Sequence, residues 1–97
     1  MITGKQRSKL KAIAQTLSVA VSIGKGGLTE NIIRAIDNNL NANEIVKVSL
    51  QEGSGLEPKA ICNQIAEQLN AEFVQAIGRR FVLYRKAKDK DKRKILL

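Results

Sequence analysis

The sequence predicts an α/β domain of the α+β two-layer kind, in which a mixed four-stranded sheet carries one main helical layer. Two short segments of alternating apolar residues are each followed by a segment with apolar residues at helical spacing. Two further apolar segments are joined by a tight turn at residues 78–80. A chain of 97 residues supplies one modest core, so we expect one folded unit with the element order α-β-α-β-α-β-β.

The first half of the chain predicts a helix, a strand and a second helix. Apolar residues at i, i+3, i+4 and i+7 predict a first helix over about residues 4–17, with Thr3 as its N-cap. Alternation over residues 19–23 predicts a short, half-buried strand. Thr29 is placed to cap the second helix, which we expect to end at residues 41–43.

The second half predicts three strands and one helix. Apolar and polar residues alternate over residues 46–51, which indicates a second strand. Pro58 suits the first turn of a third helix, whose apolar residues extend to Leu69. Residues 73–77 and 81–85 form the last two strands of the prediction.

This order places several loops at one edge of the sheet. Right-handed β-α-β crossovers make the first three strands parallel, so their carboxyl ends share one edge, here called the carboxyl rim. Residues 24–27 and 78–80 follow the first and third strands and lie on this rim. Because Ser18 alone joins the first helix to the first strand, we expect that helix to run back antiparallel and return Lys5 and Arg7 to the rim.

Charge is unevenly distributed along the chain. The formal net charge is +8, yet residues 26–78 hold three basic and seven acidic residues, so the remaining residues carry +12. Basic ends around an acidic middle favour one positive surface for a polyanion, although a solvated helix face with a charged tail explains the same pattern. The lack of a long apolar run and the single cysteine lead us to expect a cytoplasmic protein without a membrane span or internal disulfide.

Residues 24–27, Gly-Lys-Gly-Gly, form the motif with the most chemical content. Three glycines in four residues permit close approach to a ligand, and the amide groups at the start of the next helix favour an anion. A tight turn with an exposed lysine is the alternative without a ligand. A P-loop and a dinucleotide-binding fingerprint are both excluded, because the chain lacks the lysine-serine or lysine-threonine ending of one and the third spaced glycine of the other.

Enzymatic chemistry has little support in the composition. The chain has no histidine and one cysteine, and its carboxylates show no paired arrangement. We therefore expect no catalytic residue, no metal ligand and no cofactor. Its three aromatic residues, Phe73, Phe81 and Tyr84, are placed as core residues rather than as a stacking surface for bases.

Three segments together resemble the CRM-domain family (chloroplast RNA splicing and ribosome maturation), and in particular its stand-alone bacterial YhbY-like members. They are residues 3–6 at the start of the first helix, 23–29 around the glycine turn and 77–85 through the last strand. The resemblance covers residues 2–85. It implies a fold similar to the C-terminal domain of translation initiation factor three and a GxxG loop that binds the RNA backbone.

On this resemblance and the charge pattern, we interpret the chain as a non-enzymatic, monomeric protein that binds ribosomal RNA or its precursor and assists assembly of the large ribosomal subunit. A ribosome-associated factor that docks on ribosomal proteins, with the basic surface only steering it, is the alternative. Residues 1–85 form the RNA-binding domain of this interpretation and residues 86–97 a basic, flexible tail. The candidate RNA-binding residues are Lys5, Arg7, Gly24, Lys25, Gly26, Gly27, Arg79 and Arg80.

Overall fold

The predicted α+β fold, with three helices and a mixed four-stranded sheet, is confirmed in a computed structural model, which describes residues 2–88, 91 and 95. The elements follow the predicted order. They are α1 (Gly4–Ala14), β1 (Val21–Ile23), α2 (Glu30–Asn43), β2 (Ile45–Leu50), α3 (Pro58–Leu69), β3 (Glu72–Ile77) and β4 (Arg80–Tyr84).

The strands lie in the order β1-β2-β4-β3. β1 pairs with β2 in parallel, and β4 pairs antiparallel with both β2 and β3. β3 therefore runs in the same direction as β1 and β2, although β4 separates it from them. The carboxyl ends of the first three strands share one edge of the sheet, as the sequence predicts.

Two helices, α2 and α3, cover one face of the sheet and form the main helical layer. Thr29 caps α2 by accepting a hydrogen bond from the Ile32 amide, and Pro58 occupies the first turn of α3. Apolar residues that alternate along β2 and β4 point into this layer. The buried residues of this first core are Val21, Ile23, Ile36, Leu40, Val46, Val48, Leu50, Ile61, Cys62, Ile65, Ala66, Phe81 and Leu83.

The opposite face of the sheet, here called the α1 face, carries a second and smaller core. Its buried residues are Leu10, Ala14, Ile45, Val74, Val82 and Tyr84. A bulge in β3 between Phe73 and Gln75 places Val74 on this face beside Val82. Alternation along the strands predicts one covered face, and the structure shows that α1 partly covers the opposite face as well.

The direction of α1 differs from the prediction. Arg7 Nε donates to the carbonyl of Phe73 in β3 at 3.2 Å, whereas Lys47 Nζ of β2 donates to the carbonyl of Ala14 at 3.3 Å. Residues 7–14 rise about 10 Å along a helix, which matches two strand spacings of about 4.8 Å. α1 therefore crosses β3, β4 and β2 rather than running antiparallel to β1.

The reason for this error lies in the connection between α1 and β1. α1 ends at Ala14, so six residues rather than Ser18 alone lead to β1. Thr16 and Leu17 continue for one tighter turn, in which their amides donate to the carbonyls of Ile13 and Ala14. This turn keeps the apolar spacing of the helix and makes α1 look longer than it is.

Two charged residues, Arg85 and Glu44, connect the elements that meet at the amino ends of the strands. Arg85, directly after β4, pairs with Asp37 of α2 at 2.8 Å and donates to the carbonyl of Leu69 at the end of α3. Glu44 is fully buried at the end of α2, and its carboxylate accepts hydrogen bonds from the amides of Ala87 and Ile95. The sequence did not predict these tail contacts. The flexibility of residues 86–97 stays a prediction, and residues 89–90, 92–94 and 96–97 of that range lie outside the described part.

Candidate nucleic-acid interface

The glycine motif forms a compact turn between β1 and α2. The Gly27 amide donates to the Gly24 carbonyl at 3.0 Å, which places Lys25 and Gly26 at the exposed tip of the turn. Gly27 has a φ of +69°, a conformation that favours glycine. An added Cβ at Gly26 would meet no atom within 4 Å, so the backbone at the tip is open to a ligand.

The end of β2 fixes this turn against the turn between β3 and β4. The Gln51 amide donates to the Ile23 carbonyl at 2.8 Å, and the Leu50 amide donates to the Arg79 carbonyl at 2.7 Å. β1 and β4 are each one strand spacing from β2, so the two turns lie on the order of 10 Å apart. The structure therefore brings Lys25 and Arg79 to the same edge, as predicted.

Arg79 is exposed at this edge. Its guanidinium lies 3.6 Å from a carboxylate oxygen of Glu52, and the two side chains are 60% and 83% exposed. A pair this exposed contributes little to stability, so a phosphate can replace the carboxylate at small cost. Arginine offers a planar set of donors that fits phosphate oxygens.

Arg80 directly follows Arg79 and is also exposed, but it is the first residue of β4 and not part of the turn. It pairs in register with Ser49 of β2 and Ile77 of β3. Since Phe81 points into the first core, Arg80 points to the α1 face. The two arginines thus lie on different surfaces: Arg79 lies at the rim, and Arg80 lies on the sheet face beside it.

Arg7 does not reach the carboxyl rim. Its guanidinium donates a hydrogen bond to the carbonyl of Phe73, near the start of β3. About five residues, or 16 Å of strand, separate Phe73 from Gly78 at the rim. The predicted return of Arg7 to the rim is wrong because α1 crosses the strands. Lys5 lies two residues earlier in α1 and is exposed; the binding of RNA by either residue stays a prediction.

With this geometry established, comparison with known proteins decides the family. The sequence profile of the CRS1/YhbY (CRM) domain matches residues 2–85. The chain belongs to this family. The predicted resemblance is thereby confirmed over the range of residues that the sequence indicated.

Bacterial relatives resemble this CRM domain along most of their length. A Bacillus subtilis protein named probable RNA-binding protein YqeI is 33% identical over 92% of this chain and 93% of its own. A Haemophilus influenzae protein named RNA-binding protein is 35% identical over 91% of this chain and 89% of its own. The solution structure of SAV1595 from Staphylococcus aureus, put forward as an RNA-binding protein, is 33% identical with a TM-score of 0.80, covering 99% of this chain and all of the other.

Residues 2–88, 91 and 95 contain no group of three metal-ligating side chains that could hold a metal ion. None of the helices within these residues combines the length and the apolar composition that a membrane span requires. Burial raises the pKa of the Cys62 thiol to about 12, so it is not a nucleophile at neutral pH.

Sequence reasoning missed the residue that supports the glycine turn. A Cβ at Gly24 would lie 2.9 Å from Gln51 Oε1, so the absence of a side chain at Gly24 lets Gln51 pack against the turn. The parallel register of β1 and β2, which pairs Ile23 with Leu50, brings Gln51 there. Its position at the end of a predicted strand parallel to β1 is the signal that would have found it.

Proposed function

We propose that this CRM domain is an RNA-binding protein that holds ribosomal RNA, or its precursor, during assembly of the large ribosomal subunit. The proposal includes no catalysis, a monomeric state and a cytoplasmic location. The observation that carries RNA binding is the pairing of the open glycine turn with the exposed Arg79 turn across the end of β2. Its relatives are named RNA-binding proteins, which supports the same partner.

The two turns offer complementary contacts to a phosphate backbone. The glycine turn presents open backbone and the lysine at its tip, and the amide groups of the first turn of α2 follow directly. Arg79 supplies a forked cation on the order of 10 Å away, across the end of β2. Contacts of these kinds position an RNA without reading its bases, so preference must come from RNA shape.

The direct test is a substitution at Gly26. Gly26→Asp adds a carboxylate at a position where a Cβ would meet no atom within 4 Å. The φ of Gly26 is not in the left-handed region, so the backbone accepts an aspartate there without strain. We expect binding of large-subunit RNA fragments in a filter assay to fall at least about tenfold, because the carboxylate repels phosphate. Asn63→Asp, on the exposed side of α3, adds the same charge elsewhere and should bind as the wild type does.

The identity of the RNA requires an experiment in cells. Ultraviolet crosslinking followed by sequencing of the bound RNA should recover large-subunit ribosomal RNA and its precursor above all other RNAs. Recovery of messenger or transfer RNA instead would contradict the assembly role. Binding to protein-containing particles without binding to naked RNA would favour the alternative, docking on ribosomal proteins.

A further inference from the structure

Four side chains form a continuous line across the sheet on the α1 face, and we call it the exposed row. Cα pairing aligns Ser22 of β1 with Ser49 of β2, Ser49 with Arg80 of β4, and Arg80 with Ile77 of β3. Paired residues point to the same face of a sheet. The hydroxyls of Ser22 and Ser49 lie 3.0 Å apart, which confirms that both point to the same side.

Ser22, Ile77 and Arg80 of the exposed row are exposed and Ser49 is half-buried between its neighbours, because α1 crosses the sheet nearer to the amino ends of the strands. One step closer to those ends, Lys47 and Val82 are paired in register. There, α1 covers Val82, and the carbonyls of Ala14 and Leu17 accept hydrogen bonds from Lys47 Nζ. The next step toward the carboxyl rim is the exposed row.

The row combines three kinds of contact. The two serine hydroxyls can donate to or accept from a ligand, and Arg80 carries an exposed guanidinium. Ile77 is 68% exposed, the highest exposure of a large apolar side chain among the residues that the structure describes. A continuous strip with polar, cationic and apolar parts matches the hydroxyls, phosphates and bases of a single RNA strand.

We propose that a single-stranded RNA segment lies across the exposed row, as a second contact surface beside the glycine turn. This inference rests on the proposed RNA-binding function and adds a surface to it. Ser22 is two residues before the glycine turn and Arg80 directly follows Arg79, so one RNA strand can continue from the rim onto the row. The row itself holds a cation and no carboxylate, which fits a polyanion rather than a basic partner.

Four strands span about 14 Å, and a four-stranded sheet accommodates about two or three nucleotides. Because the row holds no aromatic ring, its contacts go to ribose, phosphate and the apolar faces of bases. A continuous double helix presents its bases stacked and paired inside. We therefore expect the row to add affinity for single strands and little for duplex RNA.

The experiment compares two aspartate variants with a matched control. Ile77→Asp and Ser49→Asp each place a carboxylate in the row, and Asn63→Asp places one on α3, on the other side of the sheet. Fluorescence anisotropy with a single-stranded RNA and with its duplex measures the affinities. We expect about tenfold weaker binding of the single strand for both row variants, less than twofold for Asn63→Asp, and a much smaller change with the duplex.

Three further results complete the design. Wild-type affinity in both row variants, with binding lost in Gly26→Asp, overturns the row and leaves the proposed function standing. Absence of RNA binding by the wild-type protein overturns the proposed function itself. If Ser49→Asp fails to fold, Ile77→Asp decides alone, because its side chain is exposed at the end of β3.

Discussion

An arginine stands at each end of β4, and the two are held in opposite ways. Arg85 is 19% exposed, and its guanidinium contacts Asp37, Asn41 and the Leu69 carbonyl, each at 2.8 Å. Arg79 is 60% exposed and has one loose contact with Glu52. The same side chain thus joins helices at the amino ends of the strands and remains accessible at the carboxyl rim. Charge count alone does not separate a structural arginine from one that can bind a ligand.

The largest effect should come from removing the structural arginine. Arg85→Ala leaves the Asp37 carboxylate without its cation and the Leu69 carbonyl without a donor, so we expect the free energy of unfolding to fall by about 2–4 kcal/mol. Urea unfolding monitored by circular dichroism measures it. Arg79→Ala is the matched control and should change stability by less than about 0.5 kcal/mol. Equal losses in the two variants would contradict the comparison.

A second structural effect is expected at Glu44. In the wild type, each carboxylate oxygen of Glu44 accepts from one backbone amide, that of Ala87 or that of Ile95. Glu44→Gln leaves one oxygen as an acceptor and places a side-chain NH2 group against the second backbone amide. We expect a loss of about 1–3 kcal/mol in the same unfolding assay, with RNA affinity unchanged under folding conditions. Glu67→Gln, on the exposed side of α3, serves as the control. A fall in RNA affinity without a loss of stability would place Glu44 in the binding surface.

Removal of Arg79 should change binding and not folding. We expect Arg79→Ala to weaken RNA binding about fivefold and to reduce the slope of log affinity against log salt by about 0.7–0.9, the value for one phosphate contact. Arg34→Ala removes the same charge from an exposed position on α2 and should leave both unchanged. A salt slope equal to that of the wild type would show that Arg79 contacts no phosphate.

The smallest effect at neutral pH concerns Cys62. Burial raises its pKa from 9.0 to about 12, so we expect a thiol reagent at pH 8 to modify the folded protein at least about 100-fold more slowly than the unfolded chain. Because the folded-state pKa is raised, the stability linked to this thiol is complete below pH 9 and is lost as the pH rises from 9 to 12. The stability difference between wild type and Cys62→Ala should therefore shrink over that interval.

The sequence predicts most of the fold because its local patterns agree with its tertiary structure. Alternation identifies β2, and Thr29 and Pro58 start α2 and α3 where they are predicted. The length of α1 is wrong because Leu17 keeps helical spacing after the helix has ended. The direction of α1 depends on the length of its connection to β1. Because of that one error, Arg7 is predicted at the carboxyl rim, whereas it lies near the start of β3.

The sequence alone predicts those parts of the site that are formed by residues adjacent in the chain. The glycine turn and the Arg79 turn are each local, and parallel strands bring both to one edge. The exposed row joins residues from four strands and depends on their register, which the sequence alone does not give. Arg85 is visible in the sequence as the last residue of a strand, but its acceptors lie on α2 and α3 and become known only from the fold.

The most direct test of the difference between the two ends of the sheet is an NMR titration of the labelled protein with a large-subunit RNA fragment. We predict shifts for the amides of Lys25, Gly26 and Arg79, and unchanged signals for Asn41 and the side-chain Nε of Arg85. Shifts confined to the amino ends of the strands, with the glycine turn unchanged, would contradict the assignment of RNA binding to the carboxyl rim.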